Sequence, residues 1–280
     1  MQIWQVDFYR RPLQDERGQP LWELVACNAT GNPPIFTATV SQKNASENWL
    51  AEQLRQWAED DLPNLIQVFR PQSLSLIKAA GQKLGIPVEA TRRTPALKQL
   101  LLQKAQEYPR LENYTGVAYE PLALDRPPPV PVPEEIWGER WRFASVNSGE
   151  IVPFFGDRPM PILEMPEFLL PASLGLASTL PVPGVVIDGG RQSMKLARWL
   201  QDVRPVAINY LAGAPDGLIL EAGLVERWIL ATFEDEEVAK AGATYEQSKQ
   251  QSKGLHFLLV QPDDSGMTYS GFWFLQDSKQ

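Results

Sequence analysis

The sequence is short of several things at once. It holds one cysteine, Cys27, and one histidine, His256. A single Cys excludes an intramolecular disulfide framework and fits a reducing compartment. One Cys and one His cannot build a Cys/His zinc site, and acid–base chemistry would fall to carboxylates or lysines. No Gly-x-Ser-x-Gly elbow, P-loop ending or GxGxxG fingerprint is present. No apolar run approaches the roughly 20 residues of a membrane helix, so insertion into a bilayer is not expected. Basic charge is also scarce. The 280 residues carry 26 Lys+Arg against 34 Asp+Glu, a formal charge of −8. That total argues against a generally polybasic binder. The start, Ile3-Trp4-Gln5-Val6-Asp7-Phe8-Tyr9, is a strand pattern with no basic flank and no transit-peptide composition. A cytoplasmic location is the resulting expectation.

What is present is an ordinary globular composition, 44% apolar and 21% charged. At this length two domains are the first expectation. Residues 121–134 read Pro-Leu-Ala-Leu-Asp-Arg-Pro-Pro-Pro-Val-Pro-Val-Pro-Glu. Such a run favours extended polyproline conformation and disfavours helix and sheet interior. It is read as a linker between a domain at 1–120 and one at 135–280. A surface strap within one domain is the alternative, as is a ligand for an SH3-type partner.

The first half predicts the order β-β-β-α-β-α-β-α. Strands fall at 3–11, 21–28, 35–40, 65–69 and 87–90, with a turn at 29–34. Helices fall from Asn44 or Ser46 to about Asp60, at 73–84 before Gly85, and at 94–108 with Pro95 in the first turn. Three antiparallel strands followed by βα units is the order of a ribonuclease H-like sheet. The second half reads as a variation on it. Strands are expected at 142–146, 151–155, 160–165, 184–188 and 205–210, helices at 192–200 and 234–252, and a final hairpin at 255–260 and 269–275; 218–232 opens as a strand and continues as helix or strand. Arg70-Pro71-Gln72-Ser73 and Arg191-Gln192-Ser193 each lead from a buried strand into a helix, and Pro-Val opens the next strand in both halves. The expected fold class is therefore mixed α/β, two mixed-sheet domains of ribonuclease H-like order related by duplication.

Catalysis of the ribonuclease H kind needs several carboxylates around two metal ions. Asp7 and Asp188 sit where a first carboxylate could stand, and Glu52, Glu59 and Asp60 lie on the first helix; the other reading of Asp7 is a structural carboxylate, hydrogen-bonded or salt-bridged with Arg10 or Arg11. Neither half completes a set, so a metal-dependent nuclease, active or degenerate, stands only as an alternative. Paired acids (Asp60-Asp61, Glu134-Glu135, Asp263-Asp264) read as caps or loops. Asp188-Gly189-Gly190-Arg191-Gln192-Ser193 has two readings, a phosphate-contacting turn with Arg191 as donor or a tight strand–helix turn. No cofactor is called for.

The distribution of charge says more than its sum. Residues 126–280 hold 13 basic and 20 acidic residues, which leaves 1–125 close to neutral. Residues 65–111 carry Arg70, Lys78, Lys83, Arg92, Arg93, Lys98, Lys104 and Arg110 against Glu89 and Glu107. With Arg10, Arg11 and the rings of Tyr9, Phe69 and Tyr108, such a face suits single-stranded RNA: cations meet phosphates and rings stack on bases. Solvated helix faces would give the same composition. The closing Phe272-Trp273-Phe274-Leu275 reads either as a buried edge strand or as an exposed docking segment.

The opening Trp4-Gln5-Val6-Asp7-Phe8-Tyr9-Arg10-Arg11-Pro12, followed by Pro20-Leu21-Trp22-Glu23-Leu24, resembles the start of the Tab2/Atab2 family of RNA-binding proteins. Phe69-Arg70-Pro71-Gln72, the turn at 188–193 and the final aromatic strand continue the resemblance over essentially the whole chain. It implies a non-catalytic factor that binds A/U-rich 5′ untranslated RNA in translation of a photosystem I reaction-centre messenger, as in algae and plants. Without a transit peptide the chain looks like a cyanobacterial relative. The family's closing Trp-Leu-Leu stands here as Trp273-Phe274-Leu275, with the middle residue changed. The motifs define no RNA-contact residue. From the charge pattern the expected contacts are Arg10, Arg11, Arg70, Lys78, Arg92, Arg93 and Arg191, with Trp273, Phe274 and Leu275 for docking partners. Those partners would be translation or photosystem assembly proteins. A protein-interaction scaffold for photosystem assembly is the other reading.

Overall fold

The computed structural model describes residues 2–30, 34–59 and 61–277. The middle of the expected turn at 29–34, and Asp60 with its share of the first helix end, lie outside the described residues. The chain divides into two units, Met1–Asp125 and Arg126–Gln280.

In the first unit, β1 (Ile3–Gln14), β2 (Pro20–Asn28) and β3 (Ile35–Ser41) form an antiparallel meander. Then come α1 (Glu47–Ala58), β4 (Leu65–Val68), α2 (Pro71–Leu84), β5 (Val88–Ala90) and α3 (Pro95–Glu107). β4 pairs parallel with β1 and β5 parallel with β4, giving the order β3-β2-β1-β4-β5. The helices begin and end where local chemistry dictates. The Ser46 hydroxyl accepts the Trp49 N–H at the start of α1. Pro71 and Pro95 occupy first turns, where no N–H is required. Gly85 ends α2 at φ 72°, a left-handed position glycine takes without strain.

The period of two along the strands sorts side chains between two faces. Trp4, Val6, Phe8, Leu24 and Ala26 meet Leu50, Leu54, Ile77 and Ala80 of α1 and α2. Val25 and Cys27 meet Leu97, Leu100 and Leu101 of α3 on the opposite face. Leu50 and Leu54 are fully buried, and truncating either to Ala would cost about 2–5 kcal/mol. The chain thus leaves β4 toward one face and β5 toward the other.

The division of the chain falls inside the proline-rich run, and each side of it packs on its own unit. Leu122 and Leu124 pack with the α3 cluster. Val130–Pro131 forms β6, and Val132 N–H donates to the Ile229 carbonyl. Proline is tolerated there because β6 is an edge strand and needs no N–H from Pro131.

The second unit continues with β7 (Arg140–Asn147), α4 (Ser148–Phe155), β8 (Ile162–Glu164), β9 (Pro181–Asp188), α5 (Ser193–Val203), β10 (Pro205–Leu211), β11 (Asp216–Ala222), β12 (Glu226–Phe233), α6 (Glu236–Gln251), β13 (Leu255–Gln261) and β14 (Gly271–Gln276). Its strands form two sheets, β7-β9-β13-β14-β8 and β10-β11-β12-β6. This does not repeat the order of the first unit, so the expected duplication stops at a local strand–turn–helix likeness. The segment 151–155, expected as a strand, lies in α4. Ile151 and Phe155 are buried four residues apart while Val152 and Phe154 are exposed, a helical spacing that five apolar residues in a row conceal. The ambiguous stretch 218–232 is a β-hairpin of β11 and β12. The whole is mixed α/β.

Candidate functional site

The face of β1 turned toward α3 is buried yet polar. Asp7 and Arg11, four residues apart on one strand, share that side. The Arg11 Nη2 donates to Asp7 Oδ2 at 2.9 Å, and the Arg70 Nε donates to Asp7 Oδ1 at 2.9 Å. Ser73 Oγ adds a bond to Asp7 Oδ1 at 3.2 Å. Arg11 Nε also reaches Glu23 Oε2 at 3.1 Å, and its Nη1 reaches the Tyr119 hydroxyl at 2.6 Å. Tyr108 donates to the same Glu23 carboxylate, and Lys104 pairs with it at 2.9 Å. Arg70 spends its remaining donors on the carbonyls of Pro121 and Ala123, at 2.6 and 3.1 Å.

Burial alone would depress the Arg11 guanidinium. The Asp7 carboxylate, then the neighbouring tyrosines and Glu23, outweigh it and hold Arg11 above its ordinary value. Burial pushes the hydroxyls of Tyr108 and Tyr119 upward, so both stay protonated, Tyr108 donating to Glu23 and Tyr119 accepting from Arg11. Arg11 and Arg70 are each only 2% exposed. They are structural cations, and solvent-borne phosphate does not reach them. Of the three aromatics expected on the basic face, Phe69 and Tyr108 are also buried, and only Tyr9 keeps partial exposure.

The other expected cations divide by place. Arg93 is exposed and Arg92 half-buried in the turn between β5 and α3. Lys98 donates to the Arg92 carbonyl at 2.6 Å and lies 5.7 Å from the Phe69 ring centroid. Gln5 fixes this turn from β1: its Oε1 accepts the Leu97 N–H and its Nε2 donates to the Arg93 carbonyl. Arg10 is exposed at the far end of β1, and Lys78 stands on the exposed side of α2.

In the second unit Asp188 ends β9 under a similar pair of guanidiniums. Arg140 Nε lies 2.6 Å and Arg142 Nη1 2.7 Å from Oδ2, and Gln261 Nε2 lies 2.8 Å from Oδ1. Burial would raise the Asp188 carboxyl; the bonds from Gln261, Arg142 and Arg140 outweigh it and hold the pKa below the usual carboxylate value. The following turn is the tight one, not a phosphate nest. Gly189 and Gly190 donate their N–H groups to the carbonyls of Gln261 and Pro262. Gly190 has φ 51°, and a Cβ there would meet the Glu139 carboxylate. Arg191 is exposed.

The acids do not gather. Among the described residues no group of three or more His, Cys, Asp or Glu side chains could hold a metal ion. His256 is buried; its Nε2 accepts the Ile208 N–H at 2.8 Å, and its pKa is lowered to about 3 by burial and by Lys249. Trp273, Phe274 and Leu275 lie in β14 between β13 and β8, each under 5% exposed. They are core, not a docking segment, because β8 pairs along the side that an end-of-chain strand would leave open.

Sequence reasoning passed over Arg140 and Arg142. Their signal was alternation: on β7 they share one side, opposite Trp141 and Phe143. Asp7 and Arg11 carried the same signal on β1.

Profiles of one family match both halves of the chain. The one described as "RNA-binding protein Tab2/Atab2 N terminal" covers residues 3–104, and "RNA-binding protein Tab2/Atab2, C-terminal domain" covers 119–276. A "Protein TAB2 homolog, chloroplastic" of Arabidopsis thaliana is 29% identical over 98% of this chain and 74% of its own length. Its namesake from Zea mays is 29% identical over 98% and 71%. Among solved structures, the HTLV-2 integrase catalytic core aligns at TM-score 0.25 and 17% identity, over 40% of this chain and 78% of that one. A simian T-cell lymphotropic virus intasome chain aligns at TM-score 0.24 and 12% identity, over 51% and 64%.

Proposed function

The chain belongs to the Tab2/Atab2 family of RNA-binding proteins, and from that premise we propose that it binds single-stranded RNA through its first unit, as a factor without a reaction of its own. The target we propose is an A/U-rich 5′ untranslated segment of a photosystem I reaction-centre messenger. The act is promotion of its translation, in the cytoplasm of a cyanobacterium.

The observation that carries this reading is the carboxyl end of β4 and β5. The chain turns from there to opposite faces of the sheet, and such divergence is where open α/β sheets keep ligand crevices. Arg92, Arg93 and Lys98 stand at that end on a turn fixed by Gln5. The guanidiniums beneath are buried, so the cations nearer solvent at this end are Arg92 and Arg93. An A/U-rich single strand of about 20 nucleotides, titrated by fluorescence anisotropy at several salt concentrations, tests it. Affinity should fall steeply with salt, by about 0.7 in the log–log slope per phosphate contacted. An absence of binding at low salt would refute the reading.

A further inference from the structure

Beside the outer cations, a second feature of the first unit has the chemistry of a base. A cavity of about 410 Å³ opens at the far end of β1, lined among others by Tyr9, Arg10, Pro12, Thr115, Val117 and Tyr119. We propose that it is a nucleobase subsite, in which one base of the bound strand stacks on Tyr9 while Arg10 takes the adjoining phosphate. The proposal rests on the RNA-binding reading and gives it a second, base-contacting place.

Four observations converge there. Tyr9 lines the cavity half-buried, with the Arg70 guanidinium 4.2 Å from its ring centroid. The Arg70 cation polarises the ring and Trp22 meets it edge-on with centroids 6.0 Å apart, so Tyr9 is held as a rigid platform at the cavity wall. Other parts of the lining are fixed as well. Tyr119 is tied to Arg11 through its hydroxyl at 2.6 Å, and Thr115 is tied through its N–H and hydroxyl to the Pro12 carbonyl at 3.0 and 3.2 Å. The opening exists because the pairing of β1 with β2 breaks between Arg10 and Gln14, which lets the segment at 114–115 approach β1 there. The charge at the rim also suits a nucleotide. Arg10 is exposed, while the nearby Asp15 carboxylate is spent on the N–H groups of Arg17 and Gln19. The volume suits one nucleoside and falls within the range of small-molecule pockets. It leaves no room for a duplex, so the subsite selects unpaired strands.

The buried arginine cluster then has a role that stability alone does not give it. Arg70 and Arg11 set the two tyrosines in place before RNA arrives, so less ordering is left to cost affinity on binding.

The test couples a change in the protein to a change in the RNA. The 20-mer is compared with the same strand carrying abasic sites in place of its uridines, which keeps every phosphate. Stacking one base on an aromatic ring is worth about 1–3 kcal/mol, or roughly 5- to 150-fold in Kd. Wild type should lose affinity in that range on going to abasic RNA. Tyr9→Ala should bind both strands alike, Tyr9→Trp should restore the difference, and Arg10→Ala should weaken both equally. Strands carrying 4-thiouridine should crosslink to peptides that contain Tyr9 or Tyr119. Thermal melts check folding. Should Tyr9→Ala not fold, the wild-type crosslink map and Tyr9→Trp decide. Wild-type binding with crosslinks elsewhere, or an abasic penalty unchanged in Tyr9→Ala, overturns the subsite and leaves RNA binding standing. A cavity that takes a peptide and gives no RNA crosslink also overturns it. Failure of wild type to bind any single strand overturns both.

Discussion

Replacing Asp7 by Asn keeps the shape of the side chain and removes one charge from a fully buried place. Asp7 accepts from two guanidiniums at 2.9 Å, and all three side chains are at most 2% exposed. The substitution leaves Arg70 with no carboxylate and Arg11 with Glu23 alone. It also turns one carboxylate acceptor into an amide NH₂ that faces a guanidinium donor. Removing one partner of a buried pair costs about 3–5 kcal/mol, because the other charge stays in the interior. That is a large share of the roughly 5–15 kcal/mol that holds a domain together. With a urea dependence of about 1–3 kcal/mol per M for a unit of this size, the midpoint should fall by about 1–5 M, or about 2 M at the middle of both ranges. Urea titration followed by near-ultraviolet circular dichroism reads the change. The paired control is Glu47→Gln, which breaks the exposed Lys83–Glu47 contact, 3.6 Å long with both side chains about 40% exposed. Such a pair is worth at most about 1 kcal/mol after screening. An Asp7→Asn variant less than 1 kcal/mol below wild type would refute the claim that this carboxylate anchors the two arginines.

Replacing Arg92 and Arg93 together by Ala should weaken binding of all single strands alike and reduce the salt slope by up to about 1.4, read by anisotropy. The second unit should lose stability as pH falls from 6.5 toward about 3: buried His256 stays neutral in the folded state while the unfolded chain takes up a proton. The loss is about 1.4 kcal/mol per pH unit. Its depressed folded pKa means that the full stability is present above 6.5, and Asp188, also depressed, adds loss only below the ordinary carboxylate range. His256→Gln should therefore flatten the urea midpoint between pH 6.5 and 4.5. RNA incubated with the protein and Mg²⁺ or Mn²⁺ should remain intact on a gel, because guanidiniums hold both oxygens of Asp7, and two guanidiniums and the Gln261 amide hold those of Asp188. Cys27, buried with its thiol pushed up to about 11, should resist iodoacetamide until urea unfolds the first unit.

Much of the fold was legible because local chemistry and period agreed. The meander of β1 to β3, the capped α1, and α2 between Pro71 and Gly85 follow from turn residues and spacing alone. The misreadings came where period gave no contrast. Ile151 to Phe155 is apolar throughout, so strand and helix look alike until burial separates the residues at i and i+4. Val130–Pro131 joined a sheet because an edge position forgives proline. The site was less legible, since charge in a sequence does not say which way it faces. Arg10, Arg11 and Arg70 look equivalent as letters. Only the alternation of β1 puts Arg11 with Asp7, and only the third dimension brings Arg70 to the same carboxylate. Phe272 to Leu275 read equally as a buried edge strand or an exposed docking segment, because an apolar run does not show its neighbours; the strand they form is flanked on both sides.

The grip of Arg70 on the Pro121 and Ala123 carbonyls has a practical consequence for anyone who would cut this chain in two. The N-terminal family profile stops at residue 104, and a fragment ending there would carry Arg11 and Arg70 with half of their acceptors gone. Tyr108, Tyr119 and the two carbonyls all lie beyond that cut. A fragment through Asp125 keeps every one of them. The shorter piece should express as an insoluble or protease-sensitive product, and the longer one as a soluble unit whose amides near Asp7 exchange slowly.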